Sequence, residues 1–324
     1  MILAAGFGTR LFPLTIDRTK PAIPFFGKPL VGYVAEYIAK FGFDEVVVNL
    51  HHQPESVKRA LGDGSAFGTS IHYTYEEPRI LGTAGALDNA REYLEDDTFL
   101  VINGKIITDI DINAALDTHR SSGALATMVL KENTLREHFT DVFVTNGRVT
   151  GFGDYADPDK TEGDPPLMFT GIHIFGPRVF DYIPRGVYSD IVPTFYDPAI
   201  RKGEVIAAHI TDGRWFELST IRRYLDVSLA MLNGKKDRLV LGKNNVIDSS
   251  ASVVESVIWD DVTIGRNARV RHSVIGDGVN IKDGTNYENV VVVHAEMLSH
   301  CDGIPQKALK GEFDGDNYVV SLLS

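Results

Sequence analysis

Apolar positions in the first 130 residues fall into two alternating rhythms. The runs FDEVVVNL (43–50), TFLVING (98–104) and ALATMVLK (124–131) carry Val, Leu and Ile on both faces, which predicts buried strands. The opening MILAA and the stretch SIHYTYEE (70–77) predict two more. Between them apolar residues recur at helical spacing. Leu30, Val34, Tyr37, Ile38 and Phe41 predict a helix ended by Gly42. LGTAGALDNAREYL (81–94) predicts a second, and IDINAALDTHRSSG (110–123) a third that Gly123 closes. This order predicts a Rossmann-like, doubly wound, mostly parallel α/β sheet. Such sheets bind ligands beyond the carboxyl ends of their strands.

After residue 131 the pattern changes. VFVTNGRVTGFGDY places an Asn-Gly turn between alternating runs and predicts a hairpin. DPDKTEGDPP (157–166) predicts an exposed loop leading into the strand LMFTGIHIFGP, and a helix around 224–235 closes an expected first domain, 1–236. In the second, 237–324, apolar residues recur every six positions: Ile247 and Val253; Ile258, Ile264 and Val270; Ile275 and Ile281. Gly265 and Gly276 follow isoleucines. This period suits a β-helix whose hexads each supply one face of a triangular coil. The frame slips by one residue at two places, so two or three imperfect coils are expected, with a β-hairpin appendage as the competing reading. The tail after Pro305 has no clear period.

The chain has 324 residues, 44% of them hydrophobic, enough for about two domains. A net charge of −12 and a pI near 5.3 argue against a nucleic-acid or anionic-membrane surface. A single cysteine, Cys301, rules out an internal disulfide and fits a reducing cytoplasm, the expected location. No apolar run is long enough to span a membrane, and no signal peptide is expected.

The stretch with most chemistry is Leu3-Ala4-Ala5-Gly6-Phe7-Gly8-Thr9-Arg10. Small residues let backbone approach a ligand, successive N–H groups form an anion nest, and Arg10 adds a permanent bidentate charge suited to phosphate. Lys20 reaches the same space if the loop doubles back. The spacing is neither a Walker A loop nor a dinucleotide fingerprint, whose third glycine would fall at Leu11. His51 and His52, adjacent on an extended chain, read as ordinary loop histidines rather than a metal pair.

Taken whole, LAAGFGTRL-x-PLT…KP resembles the signature of the sugar-1-phosphate nucleotidylyltransferases. The resemblance runs through GKPL (27–30), EEPRILGTAGAL (76–87), NGKIITDIDI (103–112), FTGIHIF (169–175) and WFELSTIRRYL (215–225), and ends in hexapeptide repeats. It covers almost the whole chain and looks most like the mannose-1-phosphate guanylyltransferase-like branch. It implies a short left-handed parallel β-helix at the C-terminus and a reaction in which a sugar 1-phosphate attacks the α-phosphorus of a nucleoside triphosphate, releasing pyrophosphate. By resemblance Arg10 and Lys20 are catalytic. Leu3, Ala5, Gly6, Gly8, Thr9, Glu77, Gly82, Thr83 and Asn103 line the nucleotide, and Thr170 and Gly171 the sugar. His173 reads as an alternate-face strand residue. Glu77 tilts the base towards guanine, whose N1 and N2 offer two adjacent donors to a carboxylate, with Glu76 as the other candidate reader.

Two positions break the pattern. Relatives carry a metal-binding Asp where this chain has Lys105, and a second in the segment where it has Glu217. The resemblance implies Mg²⁺, but a protonated lysine repels it. Four readings stay open. Lys105 replaces the metal's charge, or Asp109 or Asp111 supplies the missing carboxylate. Alternatively the chain is a weakened or inactive homologue that binds nucleotide as a sensor, or Lys105 was introduced to disable it. Relatives also have a sugar-phosphate Lys near GFGDYADP (151–158), where none occurs before Lys160. An acyltransferase on the β-helix is disfavoured, with only His272 and His294 as nearby bases. The β-helix also offers a surface for homo-oligomer formation.

Overall fold

The computed structural model of the chain describes residues 1–157, 163–235, 237–301 and 303–323. The centre of the expected loop, 158–162 with Lys160, lies outside them, as does position 236 at the expected domain boundary. The chain divides into two compact units, each assembled from separated segments. The first comprises Met1–Gly6, Tyr33–His51 and Leu61–Trp215, and the second Phe7–Gly32, His52–Ala60 and Phe216–Ser324.

The first unit is built on a nine-stranded sheet. Its strands are β1 (Ile2–Leu3), β2 (Glu45–Leu50), β3 (Ser70–Tyr75), β4 (Phe99–Asn103), β5 (Ala126–Glu132), β6 (Thr140–Thr145), β7 (Arg148–Tyr155), β8 (Leu167–Phe175) and β9 (Ile206–Ile210). Their order is β3-β2-β1-β4-β8-β5-β9-β7-β6. The first four are parallel, as the alternating rhythm predicts, and α1 (Leu30–Ala39), α3 (Gly82–Asn89) and α4 (Ile112–Ser122) fall where helical spacing put them. A further helix, α2 (Pro54–Leu61), which belongs to the second unit except for its last residue, was not read from the sequence. Asp111 caps α4 by accepting from Asn113 N and Ala114 N, and Gly123 ends it at φ 59°. The hairpin β6–β7 turns at Asn146-Gly147, both at positive φ. The sheet departs from the parallel expectation at its middle, where β8 runs antiparallel to both β4 and β5. Strand β7 is antiparallel to β9, which is itself parallel to β5, so β7 and β8 share one direction, opposite to β4 and β5. Phe99, Phe175, Phe180, Phe195 and Tyr196 anchor the core.

In the second unit the hexads form a parallel β-helix. Val240 pairs with Val257, Val257 with Val274, and Val274 with Val291, and the other two faces repeat at the same spacing. Each coil is therefore 17 residues long, two sides of six and one of five, which accounts for both slips of the frame. Three full turns lead into a fourth strand. The short corner is built by left-handed residues at that spacing, Glu255 (φ 49°), His272 (φ 47°) and Asn289 (φ 54°). It is filled by a ladder of buried serines: Ser256 Oγ accepts from Ser273 N at 3.2 Å, and Ser273 Oγ from Val290 N at 3.2 Å. Ile258, Ile264, Val270, Ile275 and Ile281 fill the interior. The tail pairs its strand Asn317–Ser321 antiparallel with Val290–His294, covering the last edge. Replacing Ser256 by Ala leaves the Ser273 N–H buried without a partner. The expected cost is about 1–3 kcal/mol, read as a lower unfolding midpoint in denaturant. No described helix is long and apolar enough to cross a membrane.

Candidate active site

In the first unit the strand ends converge on Leu3, Ala4 and Ala5. Asn49, at the end of β2, accepts from Ala4 N at 2.8 Å and donates to Glu76 Oε1 at 2.6 Å. Glu76 Oε2 accepts from Leu81 N at 2.6 Å, and its carbonyl meets His51 Nδ1 at 2.7 Å. Glu76 is 1% exposed and both oxygens are engaged, so it braces the loops and is not a ligand reader. Glu77, the next residue, is exposed. Alternation along the chain separates a structural carboxylate from an accessible one.

Gly82 opens α3 at φ 74°, and a Cβ there would lie 2.6 Å from the Ser189 carbonyl oxygen, so no other residue fits. Thr83 Oγ1 accepts from Ile191 N at 2.8 Å, fixing the same segment. Asn103 ends β4. Gly171 sits at φ 82° where the β8 register shifts, and a side chain there would run into the Asn103 amide. This unit thus brings Asn103 and Gly171 together. Thr170 is fully buried, donates to the Val129 carbonyl at 2.7 Å, and its own carbonyl accepts from Trp215 Nε1. Its hydroxyl is spent on Val129, and Gly171 beside it is buried as well, its backbone packed against the Asn103 side chain. His173 is buried against Tyr196 Oη at 2.6 Å, and burial pushes its pKa down to about 3, so it is a neutral strand residue.

Lys105 is half-buried in the turn after β4, where Gly104 N donates to the Leu3 carbonyl at 2.9 Å. Both nearby aspartates already have partners. Asp109 takes two hydrogen bonds from Arg214, at 2.6 and 2.7 Å. Partial burial raises its pKa, but the Arg214 side-chain and backbone bonds outweigh this and hold it below the usual carboxylate value. Asp111 is the α4 cap.

In the second unit the loop does double back. Gly8 has φ 66°, and a Cβ on it would stand 3.2 Å from both the backbone N and the Cβ of Lys20, and 3.3 Å from Thr15 Cγ2. The Gly8 carbonyl accepts from Leu11 N at 2.9 Å and Thr15 Oγ1 at 3.3 Å. Glycine is needed here for its dihedral and for Lys20's approach. Thr9 and Arg10 form a single 3₁₀ turn with an exposed Arg10 guanidinium, while Lys20 is 8% exposed. His52 tilts against the Phe7 ring, centroids 5.4 Å apart, so the two adjacent histidines have different partners. Glu217 is buried, and its carbonyl accepts from Arg223 Nε at 2.6 Å.

Among the described residues no group of three or more His, Cys, Asp or Glu gathers to hold a metal. Of the two positions that the resemblance assigns to metal, one carries an ammonium. The residues present do not fit a two-carboxylate metal site.

Residues 1–234 match the family model for nucleotidyl transferases, and residues 227–288 the GlmU-like C-terminal hexapeptide model. A UTP–glucose-1-phosphate uridylyltransferase of Synechocystis sp. is 33% identical over 99% of this chain and 89% of its own. An N-acetylmuramate alpha-1-phosphate uridylyltransferase of Neisseria meningitidis is 35% identical over 69% of this chain and 94% of its own. A mannose-1-phosphate guanylyltransferase of Mycobacterium tuberculosis is 29% identical over 90% and 82%. Among solved structures, a putative glucose-1-phosphate thymidylyltransferase of Bacillus anthracis matches with a TM-score of 0.61 and 22% identity, covering 72% of this chain and 95% of its own, which shows a shared fold.

Proposed function

The chain belongs to the nucleotidyl transferase family, and from that premise we propose that it couples GTP to a sugar 1-phosphate, forming a GDP-sugar and pyrophosphate. A phosphate oxygen of the sugar attacks the α-phosphorus. The bond to the oxygen bridging the α- and β-phosphorus breaks, and its electron pair leaves with pyrophosphate. Such a transfer needs little covalent chemistry from the protein. It needs alignment and positive charge where negative charge collects.

The observation that carries this reading is the doubled-back loop, in which Gly8 lies against Lys20 and Arg10 is presented on a single turn. In the proposal Arg10 takes the charge of the departing β- and γ-phosphates, and Lys20 that of the reacting phosphates. The backbone around Gly8 and Thr9 cradles phosphate, and Leu3, Ala5, Gly6, Gly82, Thr83 and Asn103 keep the nucleotide-binding roles that the resemblance implies. Gly171 meets the sugar. Residues 1–236 carry the chemistry and 237–324 the β-helix. Family members generally work with a divalent metal. Here Mg²⁺ remains the ion to supply in assays, and no step is assigned to a protein-bound metal. Instead the ammonium of Lys105 supplies charge at the reacting phosphate. A non-catalytic sensor is not favoured, because relatives over nearly the full length are transferases.

Glu77 carries the choice of base. It is exposed where Glu76 is locked, and a carboxylate pairs with adjacent N–H donors of guanine. Pyrophosphate release measured with GTP, UTP, dTTP and ATP against glucose, mannose and N-acetylmuramate 1-phosphates tests the reading. GTP is expected to lead. Glu77→Gln should lower kcat/KM for GTP at least about tenfold while changing UTP little, the loss of a hydrogen bond to a charged group. Equal losses for all four nucleotides would remove Glu77 from base recognition.

A further inference from the structure

The second unit contains a contact that the phosphate chemistry does not require. Arg18, two residues before Lys20, donates from Nε and Nη2 to the Asp17 carboxylate at 2.8 Å each. The same Nη2 donates to Asp277 Oδ2, on the β-helix, at 2.7 Å. The guanidinium also lies 5.1 Å from the ring centroid of Trp259, one coil earlier. Both β-helix partners are themselves held. Asp277 Oδ1 accepts from Asp260 N at 2.9 Å. Trp259, 5% exposed, donates from Nε1 to Tyr224 Oη at 3.0 Å, and that hydroxyl donates to the Pro24 carbonyl at 2.6 Å. The β-helix and the helix Ile221–Met231 thus grip the segment at Arg18 and Pro24, on either side of Lys20. From the other direction, Ser56 Oγ accepts from Thr19 N at 3.1 Å and Gln53 Nε2 donates to the Ile16 carbonyl at 2.5 Å.

We propose that the β-helix is a positioning element for the Lys20 loop, acting through Asp277 and Trp259 on Arg18. Stability alone is a poor reason for this contact. The Asp277 side chain is 33% exposed, so solvent screens its attraction for Arg18. Position is the better reason. A charged group displaced by about 1 Å from a reacting phosphate forfeits up to about a hundredfold in rate. Lysine at position 18 would keep the charge but lose the planar fork that meets two carboxylates and a ring face together. Arg18, Asp277 and Trp259 are positioning residues in this account, since none is assigned a contact with substrate. The kinetic part rests on the reading of Lys20 as a phosphate contact. The structural part does not.

The test uses the full chain with Asp277→Ala, Trp259→Ala and Trp259→Phe. Amide hydrogen exchange is measured without nucleotide, followed by kcat and KM for the nucleoside triphosphate. In Asp277→Ala, exchange across residues 14–25 should rise about tenfold while the strands at 257–292 keep wild-type protection. In the same variant kcat should fall about tenfold or more and KM for the nucleotide should rise. A merely structural role would instead scale activity with the folded fraction and leave KM alone. Trp259→Phe, which keeps an aromatic face, should retain most of kcat. Should Trp259→Ala fail to fold, Asp277→Ala carries the test. Unchanged exchange at 14–25 in Asp277→Ala overturns the clamp whether or not the wild-type chain turns over any substrate. Faster exchange with unchanged kcat and KM overturns the positioning role. Loss of wild-type activity on every substrate pair, with the exchange effect present, counts against the transferase reading and leaves the clamp standing.

Discussion

Arg10→Ala is expected to lower kcat/KM for pyrophosphate release by about 10²–10³, the effect of removing one preorganised charge from a developing phosphate anion. Arg10 is exposed on a turn whose backbone is fixed by the Gly8 carbonyl bonds, so its loss should leave the unfolding midpoint almost unchanged. Arg10→Lys should recover part of the loss, because a point charge remains while the bidentate fork is gone. The measurement is a steady-state pyrophosphate assay beside a thermal melt. Wild-type rates in Arg10→Ala would show that the loop's charge acts elsewhere.

The second large effect concerns Lys105. Lys105→Ala should lower kcat by about a hundredfold while the affinity for nucleotide, measured separately, changes only a few-fold. That split is expected of a group acting at the reacting phosphate rather than along the whole triphosphate. The structure sharpens this expectation by accounting for the neighbouring carboxylates. Asp109 is bound to Arg214 through both oxygens and Asp111 caps α4 through Oδ1, so recruiting either to a metal would compete with an existing contact. Lys105→Asp distinguishes the rival reading. A gain of Mg²⁺-dependent turnover in that variant, with Lys105→Ala neutral, would mean that the lysine blocks a metal site rather than replacing one.

Much of this was legible in the sequence because it is local. Gly8 had to be glycine for reasons the loop itself states, and the structure adds the close approach of Lys20. The hexad rhythm announced a β-helix, and the two slips in it were information: the coil is 17 residues long, and its short corner holds Ser256 and Ser273. Other features depend on contacts far apart in the chain. The antiparallel placement of β8 is set by its pairing with β4 and β5, far back in the chain, which its own apolar pattern does not encode. Glu76 and Glu77 look equivalent on paper and are told apart only by Asn49 and the Leu81 amide. Thr170 read as a sugar contact because its neighbours match a motif, yet its hydroxyl is spent on Val129. The Arg18–Asp277 pair spans 259 positions, and no local pattern hints at it.

The central claim is that the glycine-lined loop after β1, with Arg10 and Lys20, holds the polyphosphate of a nucleotide. Isothermal titration of the full chain with GTP in the presence of Mg²⁺ tests it most directly. Saturable one-site heat is expected, weakened at least about tenfold in Arg10→Ala. Absence of heat with GTP, UTP, dTTP and ATP alike, from protein shown to be folded, would contradict the account.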